Sequence, residues 1–228
     1  MIHGKRVLGV VPARGGSKGI PRKNLRVVAG KSLLGWTIEI AQRSMLIDHL
    51  IVSTEDSDIA SEAKRCGCVV PFVRDAALAT DVADGDLVAV DAVTRCSGYD
   101  LMVLLAPTSP LRTTEDIDTA IRKCVDLGAP ACVSVCPVEE NPFWMFTIGE
   151  RSQLAQFARE VPPRRQALPP VHILNGAVYV ARTEWLQREG RFLTPNTVAY
   201  EMPRSRSLDI DTQADLDEFS RIVEARSL

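Results

Sequence analysis

Hydrophobic positions in the first two-thirds of the chain switch between two periods, short β-branched runs and stretches of helical spacing. Residues 6–12 form the first such run and predict a strand. Residues 33–45 carry apolar side chains at Leu33, Leu34, Ile38, Ala41 and Met45, close to helical periodicity. The same reading predicts a strand at 50–53, a helix at 56–66 with acidic residues in its first turn, and a strand at 69–73. A helix at 86–96, a strand at 101–105, a helix at 114–127 ended by Gly128, and a strand at 131–135 follow. The runs VLGVV, LMVLL and ACVSV do not alternate polar with apolar residues. Strands of that kind are covered on both faces, as in a parallel sheet flanked by helices. The fold class predicted is α/β, a Rossmann-like doubly wound and mostly parallel sheet.

After Cys136 the pattern changes. Residues 137–170 are rich in Pro, Arg and aromatic residues and show no long helical period. They read as an excursion from the sheet, a β-arm or dimerisation element in which Phe143, Trp144 and Phe146 pack. Residues 177–181 read as a returning core strand, 183–188 as a short helix, 198–202 as a strand and 212–226 as an amphipathic helix. With no internal repeat and no low-complexity tract, one domain over 1–228 with an inserted arm at 137–170 is expected.

Composition narrows the function classes. An apolar share of 46% and a charged share of 25% are ordinary for a globular chain, and a net charge of −2 gives no basic field for a nucleic-acid partner. Positive charge is instead local, with Arg14, Lys18, Arg22, Lys23 and Arg26 in one short stretch. The N-terminal apolar run is too short for a signal peptide, and no window approaches the roughly 18 apolar residues of a membrane span. The six cysteines, Cys66, Cys68, Cys96, Cys124, Cys132 and Cys136, form no C-x-x-C pair. They read as reduced thiols of a cytoplasmic protein rather than a zinc site or disulfide framework.

Two segments carry candidate chemistry. Residues 13–24 (ARGGSKGIPRKN) follow the first strand, at the carboxyl end where open parallel sheets place ligands. Its three glycines let backbone N–H groups turn towards an anion, and Arg14, Lys18 and Lys23 can neutralise a polyphosphate. The spacing is not the G-x-G-x-x-G of a dinucleotide fold. Nor is it a Walker A loop, because Gly30-Lys31-Ser32 is preceded by Leu25 where that motif needs Gly. The second segment is Asp209-Ile210-Asp211. If extended, it puts both carboxylates on one face with Ile210 buried, an arrangement suited to Mg²⁺. Capping of the last helix by Asp211 or Thr212 is the alternative, and it leaves Asp209 unexplained.

The 13–24 string resembles the N-terminal signature of the acylneuraminate cytidylyltransferases, the CMP-sialic acid or CMP-nonulosonic acid synthetases; CMP-Kdo synthetases carry a looser version. Four later segments match that family in order: IVSTEDSDIASEA, APTSPLRT, RRQALPPVHILNGAVYVAR and SLDIDTQADL. The resemblance implies transfer of CMP from CTP to an acidic nine-carbon keto sugar, with Arg14, Lys18, Lys23 and Asp211 catalytic. It implies nucleotide contacts from Ala13, Arg14, Gly15, Gly16, Ser17, Asn24 and the more distant Arg74. Sugar contacts are implied for Ala106, Thr108 and Ser109 on one side and for Arg165, Gln166 and Asn175 on the other. Asp209 and Asp211 would hold Mg²⁺. The position of Ala106 usually carries Gln, which leaves the identity of the sugar open. Asp84-Gly85-Asp86 faces the base or ribose, or simply caps a helix. His172 reads as a packed or surface aromatic rather than a general base. A homodimer joined through the arm, and a place in surface-glycan biosynthesis, are also implied.

Overall fold

Val7, Leu8, Val10 and Val11 are all completely buried, which a strand achieves only when both faces of its sheet are covered. They lie in β1 (Val7–Pro12) of a computed structural model that describes residues 1–80, 84–158, 164 and 168–226. A two-stranded hairpin of β2 (Val27–Val28) and β3 (Lys31–Ser32) leads into α1 (Leu33–Gln42), where the Ser32 hydroxyl accepts the Gly35 amide at 2.9 Å. Then come β4 (His49–Ser53), α2 (Ser57–Arg65), α3 (Gly85–Arg95), β5 (Leu101–Leu104), α4 (Thr114–Asp126) and β6 (Ala131–Pro137). The remainder holds β7 (Phe146–Ile148), β8 (Leu154–Gln156), β9 (His172–Arg182), α5 (Thr183–Glu189), β10 (Val198–Glu201) and α6 (Gln213–Arg226).

The main sheet has the order β10-β6-β9-β5-β1-β4. β1 is parallel to both β4 and β5, and β10 is parallel to β6, whereas β9 runs antiparallel between β5 and β6. From β1 the chain goes first to one side and then to the other, so a crevice opens at the carboxyl ends of β1 and β5. One apolar cluster joins Val7, Val11 and Val103 to Leu34, Ile38, Ile59 and Ile117 of α1, α2 and α4. A second joins Leu8, Val10 and Met102 to Ala89, Val93 and Leu186 of α3 and α5. Helices thus cover both faces of a mostly parallel sheet, as the unbroken apolar runs predict.

A third, smaller cluster matters most for function. It gathers Ile20, Leu111 and Ile210, one residue from each of three loops, under Leu216, Phe219 and Val223 of α6.

Several expected elements take a different form. Residues 69–73 do not make a continuous strand. Val69 and Val73 bridge singly to Ile51 and Thr54, because Pro71 between them has no N–H to donate to a ladder. The helix expected at 33–45 stops at Gln42 and leaves Met45 exposed. The strand expected at 177–181 extends back to His172, with a register shift where Asn175–Val178 bulges against Val133–Val135 of β6. The 137–170 segment is therefore the long connection of an antiparallel pair. Its base is closed by Val138 N–H donating to Val171 O, and its described residues include a 3-10 turn at Pro142–Trp144 and the β7–β8 hairpin. No helix among the described residues is long and apolar enough to cross a membrane.

Asp116 braces the sheet against the C-terminal segment. It is fully buried, completes a capping box with Thr113, and accepts from Tyr200 Oη at 2.9 Å and from Arg206 at 2.7 and 2.9 Å. Burial pushes its pKa up, but the hydrogen bonds from Arg206, Thr113 and Tyr200 outweigh that and hold it below the ordinary aspartate value. A carboxylate so lowered contributes stability above its unfolded pKa and loses it as pH falls through the folded one. Asp116→Asn should lose about 3 kcal/mol at neutral pH, as for a broken buried pair. In urea titrations the gap to the native protein should narrow below pH 3.8, the ordinary aspartate value; a gap independent of pH would contradict the assignment.

Candidate active site

A cavity of about 580 Å³ opens where β1 and β5 end, lined by Arg14, Ser17, Lys18, Gly19, Lys23 and Asn24 from the loop after β1. Arg74, Leu78, Thr80, Gly85 and Val88 form a second side, and Ala106, Pro107, Thr108 and Asp211 a third.

The 13–24 loop is held at both ends and in the middle. Asn24 Nδ2 donates to Arg14 O at 3.0 Å and ties its two ends together, while Ile20 plugs the small apolar cluster. The Gly15 amide donates to Glu55 Oε1 at 2.7 Å, and a Cβ on Gly15 would collide with the Asp56 carboxylate. That amide is therefore engaged inside the protein, whereas the space around Gly16 is open. Arg14 Nη1 donates to Thr80 O at 2.6 Å. Arg22, in the left-handed region with φ 57, turns away from the cavity and pairs with Asp56 and Asp58 at the start of α2. Of the clustered cations, Arg14, Lys18 and Lys23 face the cavity.

The Asp209–Asp211 segment is not a strand, yet it alternates as expected: Ile210 is fully buried and both aspartates are exposed. Lys23 Nζ donates to Ile210 O at 2.7 Å and to Asp211 Oδ1 at 2.8 Å. Gly19 packs so closely on the Asp211 carbonyl that a Cβ there would overlap it. Helix capping falls to Thr212, one of the two residues expected for it, together with Asp215. Asp215 Oδ2 accepts the amides of Asp211 and Thr212, and the Thr212 hydroxyl accepts the Asp215 amide. Neither aspartate of the pair is thus needed as a cap. Partial desolvation raises the Asp209 pKa, reinforced by Asp211 and opposed by a Thr108 hydrogen bond and by Lys23.

Among the described residues no group of three or more His, Cys, Asp or Glu side chains converges on a point. A metal at this pair would rest on two carboxylates and on oxygens from water or substrate, which is the habit of Mg²⁺. The residues fit such an ion, since a cation, the Lys23 ammonium, is already seated on Asp211.

Arg74 is buried at the cavity wall, with Nη2 donating to Glu55 Oε2 at 2.7 Å and Nε without a partner. Glu55 thereby joins Arg74 to the Gly15 amide, a role that sequence reasoning misses because acidic residues after 53 double as helix-start signals. Its place directly after β4, at a carboxyl end, is the available clue. Ala106 and Thr108 line the cavity, but Ser109 is fully buried and donates to Asn175 O at 3.4 Å. Asn175 is buried too. Its amide is spent on Ser134, Ser207, Met202 and the Ala177 amide, so it shapes the bulge of β9 rather than facing the cavity. Asp84 caps α3 by accepting the Asp86 amide. Arg165 and Gln166 lie outside the described residues.

A cytidylyltransferase family model matches residues 8–141, more than half of the chain. The chain belongs to the cytidylyltransferase family. CMP-N,N'-diacetyllegionaminic acid synthase of Legionella pneumophila subsp. pneumophila is 33% identical over 96% of this cytidylyltransferase and 97% of its own length. N-acylneuraminate cytidylyltransferase of Streptococcus agalactiae is 33% identical over 94% of this chain, which spans 52% of that longer protein. The fold is shared with a solved CMP:2-keto-3-deoxy-manno-octonic acid synthetase complexed with CTP. That likeness has a TM-score of 0.76 and 19% identity, over 98% of this cytidylyltransferase and 100% of the other chain.

Two glycines of the loop should respond differently to a methyl group. Gly19→Ala should lose about 1–3 kcal/mol through overpacking on Asp211. Gly16→Ala, with open space around it, should stay within about 0.5 kcal/mol of native. Denaturant unfolding of both would check this, and equal losses would show that the loop does not touch the carboxylate segment.

Proposed function

We propose that the chain transfers the cytidylyl group of CTP to the anomeric hydroxyl of an acidic nine-carbon keto sugar, giving a CMP-sugar and pyrophosphate. The observation that carries this reading is the meeting of the cationic loop and Asp211, one of the aspartate pair, in one cavity, with Lys23 bonded to that carboxylate. The two relatives support the sugar class, one named for diacetyllegionaminic acid and the other for N-acylneuraminate.

Arg14 and Lys18, with Ser17 and the amides from Gly16 onward, receive the triphosphate and stabilise pyrophosphate as charge builds on it. Ala13 and Asn24 hold that loop, and Arg74, braced by Glu55, presents a rigid cation to the nucleotide. Lys23 keeps Asp211 turned into the cavity, beside the departing phosphates. Mg²⁺ held by Asp209 and Asp211 would neutralise charge at the α-phosphate and bring the sugar hydroxyl closer to its deprotonated form. The hydroxyl attacks the α-phosphorus in line with the pyrophosphate. Ala106 and Thr108 face the sugar, Arg165 and Gln166 take its carboxylate, and Ser109 and Asn175 support that wall from behind.

The six free thiols support a cytoplasmic setting, where CTP is at hand, and the product suits glycosyltransferases of lipopolysaccharide or capsule assembly. Neither a nucleic acid nor a membrane enters this reading. Within one domain over 1–228, residues 137–170 form an inserted arm whose Trp144, Phe146, Ile148, Leu154 and Phe157 are exposed. Such a patch suits a second copy of the chain.

Pyrophosphate release should require CTP, Mg²⁺ and a nonulosonic acid together, and Asp211→Ala should lower it about 100-fold or more. Incubation with CTP or UTP and a panel of nine- and eight-carbon keto acids, with mass analysis of the product, tests both substrate classes. Undiminished turnover in Asp211→Ala, or without divalent metal, would sink the mechanism. For the arm, Phe146→Asp with Ile148→Asp should convert a dimer to a monomer in light scattering; a monomeric native protein would refute the arm's role.

A further inference from the structure

Among the described residues, Arg112 is the largest side chain that is fully buried, and it carries a charge. Its Nη1 donates to Ala106 O at 2.8 Å and to Ala177 O at 3.0 Å, its Nη2 donates to Thr37 Oγ1 at 2.7 Å, and its Nε has no partner. No carboxylate is hydrogen-bonded to it among the described residues. Asp116 and Asp209 act on it only through space, opposing a burial that pushes its pKa down to about 9. Burying a guanidinium without a directly bonded counter-ion is costly, and an apolar side chain would fill the same volume more cheaply. The cation is therefore to be explained by what its fork holds.

One carbonyl it grips, that of Ala106, belongs to the cavity wall and the other, that of Ala177, to the buried strand β9, and each leads to the aspartate pair by a separate route. Ala106 begins the turn at the end of β5, and two residues later Thr108 O accepts the Ile210 amide at 2.8 Å. Ala177 follows Gly176, which is in the left-handed region with φ 71 and neighbours Asp209, where a Cβ would be in ordinary contact with Oδ2 at 3.6 Å. Thr37, on α1, anchors the guanidinium to the helix behind the sheet. Nη1 thus joins two backbone turns drawn from different strands while Nη2 ties the same planar group to α1, an anchored geometry that a flexible ammonium would not hold.

We propose that Arg112 is a positioning residue for cytidylyl transfer, its guanidinium fixing the two turns against which Ile210 and Asp209 are seated. The inference rests on the reading of Asp209 and Asp211 as the working carboxylates. Arg112→Lys keeps the charge and removes the fork, and Thr37→Val removes one anchor at nearly constant volume. In Arg112→Lys, kcat should fall about 10- to 100-fold, as for a small misplacement of reacting groups, with KM for CTP changed less than about threefold. Amide exchange over 207–211, followed by mass spectrometry, should quicken about tenfold while exchange in β1 stays native. Thr37→Val should show the same pattern at smaller amplitude, and decides the matter alone if Arg112→Lys does not fold. Native kcat and native exchange in the variants would overturn the proposal. So would a parallel worsening of kcat, KM and β1 exchange, the mark of a general core role. Asp211→Asn serves as the control: native activity there would sink the carboxylate reading, leaving the exchange over 207–211 to judge whether Arg112 seats the segment.

Discussion

Ile210 is where three separate loops are made to meet. Its side chain is buried in the same apolar cluster as Ile20 of the 13–24 loop, Leu111 of the 106–112 turn and Leu216 of α6. Its amide donates to Thr108 O, and its carbonyl accepts the Lys23 ammonium. Because the neighbours of a buried residue in extended chain point the other way, burying Ile210 obliges Asp209 and Asp211 to face outward. Facing outward follows from that burial, and the Lys23 ammonium and a Thr108 hydrogen bond then fix the Asp211 and Asp209 carboxylates. The segment's own placement follows from one apolar side chain and two backbone hydrogen bonds, and those in turn depend on both neighbouring loops being in position.

The electrostatics of the cavity follow from that convergence. Partial desolvation, with the charge of the neighbouring Asp211 carboxylate adding to it, raises the pKa of Asp209. The Lys23 ammonium offsets part of this by pairing with Asp211. The arrangement has two carboxylates against one close cation and so keeps room for more positive charge, which is the property a metal-assisted phosphoryl site requires. On the opposite side Glu55 takes the Gly15 amide and the Arg74 guanidinium together. Lys23 and Arg74 are thus each both a prospective ligand group and a strut.

The layers of the fold were legible because the signals are local: doubly buried runs mark the strands, and capping residues mark the helix starts. Less legible was what depends on chain path. β9 reads from sequence only over its doubly covered half, since Ile173 and Leu174 at its start are exposed and resemble the arm. Its antiparallel direction follows from reaching β6 by way of the arm hairpin, and no residue in the strand encodes it. Pro71 is plain in the sequence, yet the flanking valines outweigh it in any reading based on hydrophobic period. In the site, the glycines and cations of 13–24 stand out by composition. Ser109 and Asn175 do not declare their roles, because a polar residue that satisfies a buried backbone looks, in sequence, like one that touches a ligand.

The glycines of the loop show why a motif is more than its composition. A single phosphate-cradling role would predict that every glycine is there to bare its amide. Gly15 instead makes room for Asp56, with its amide already bonded to Glu55, and Gly19 makes room for the backbone of Asp211. Only Gly16 faces open space. Two of the three glycines are therefore required by close approach between segments distant in sequence, α2 for one and the aspartate pair for the other. The loop's composition records the assembly of the cavity as much as the binding of an anion, which is why the 13–24 string and the distant Asp-Ile-Asp segment constitute one signature in two parts.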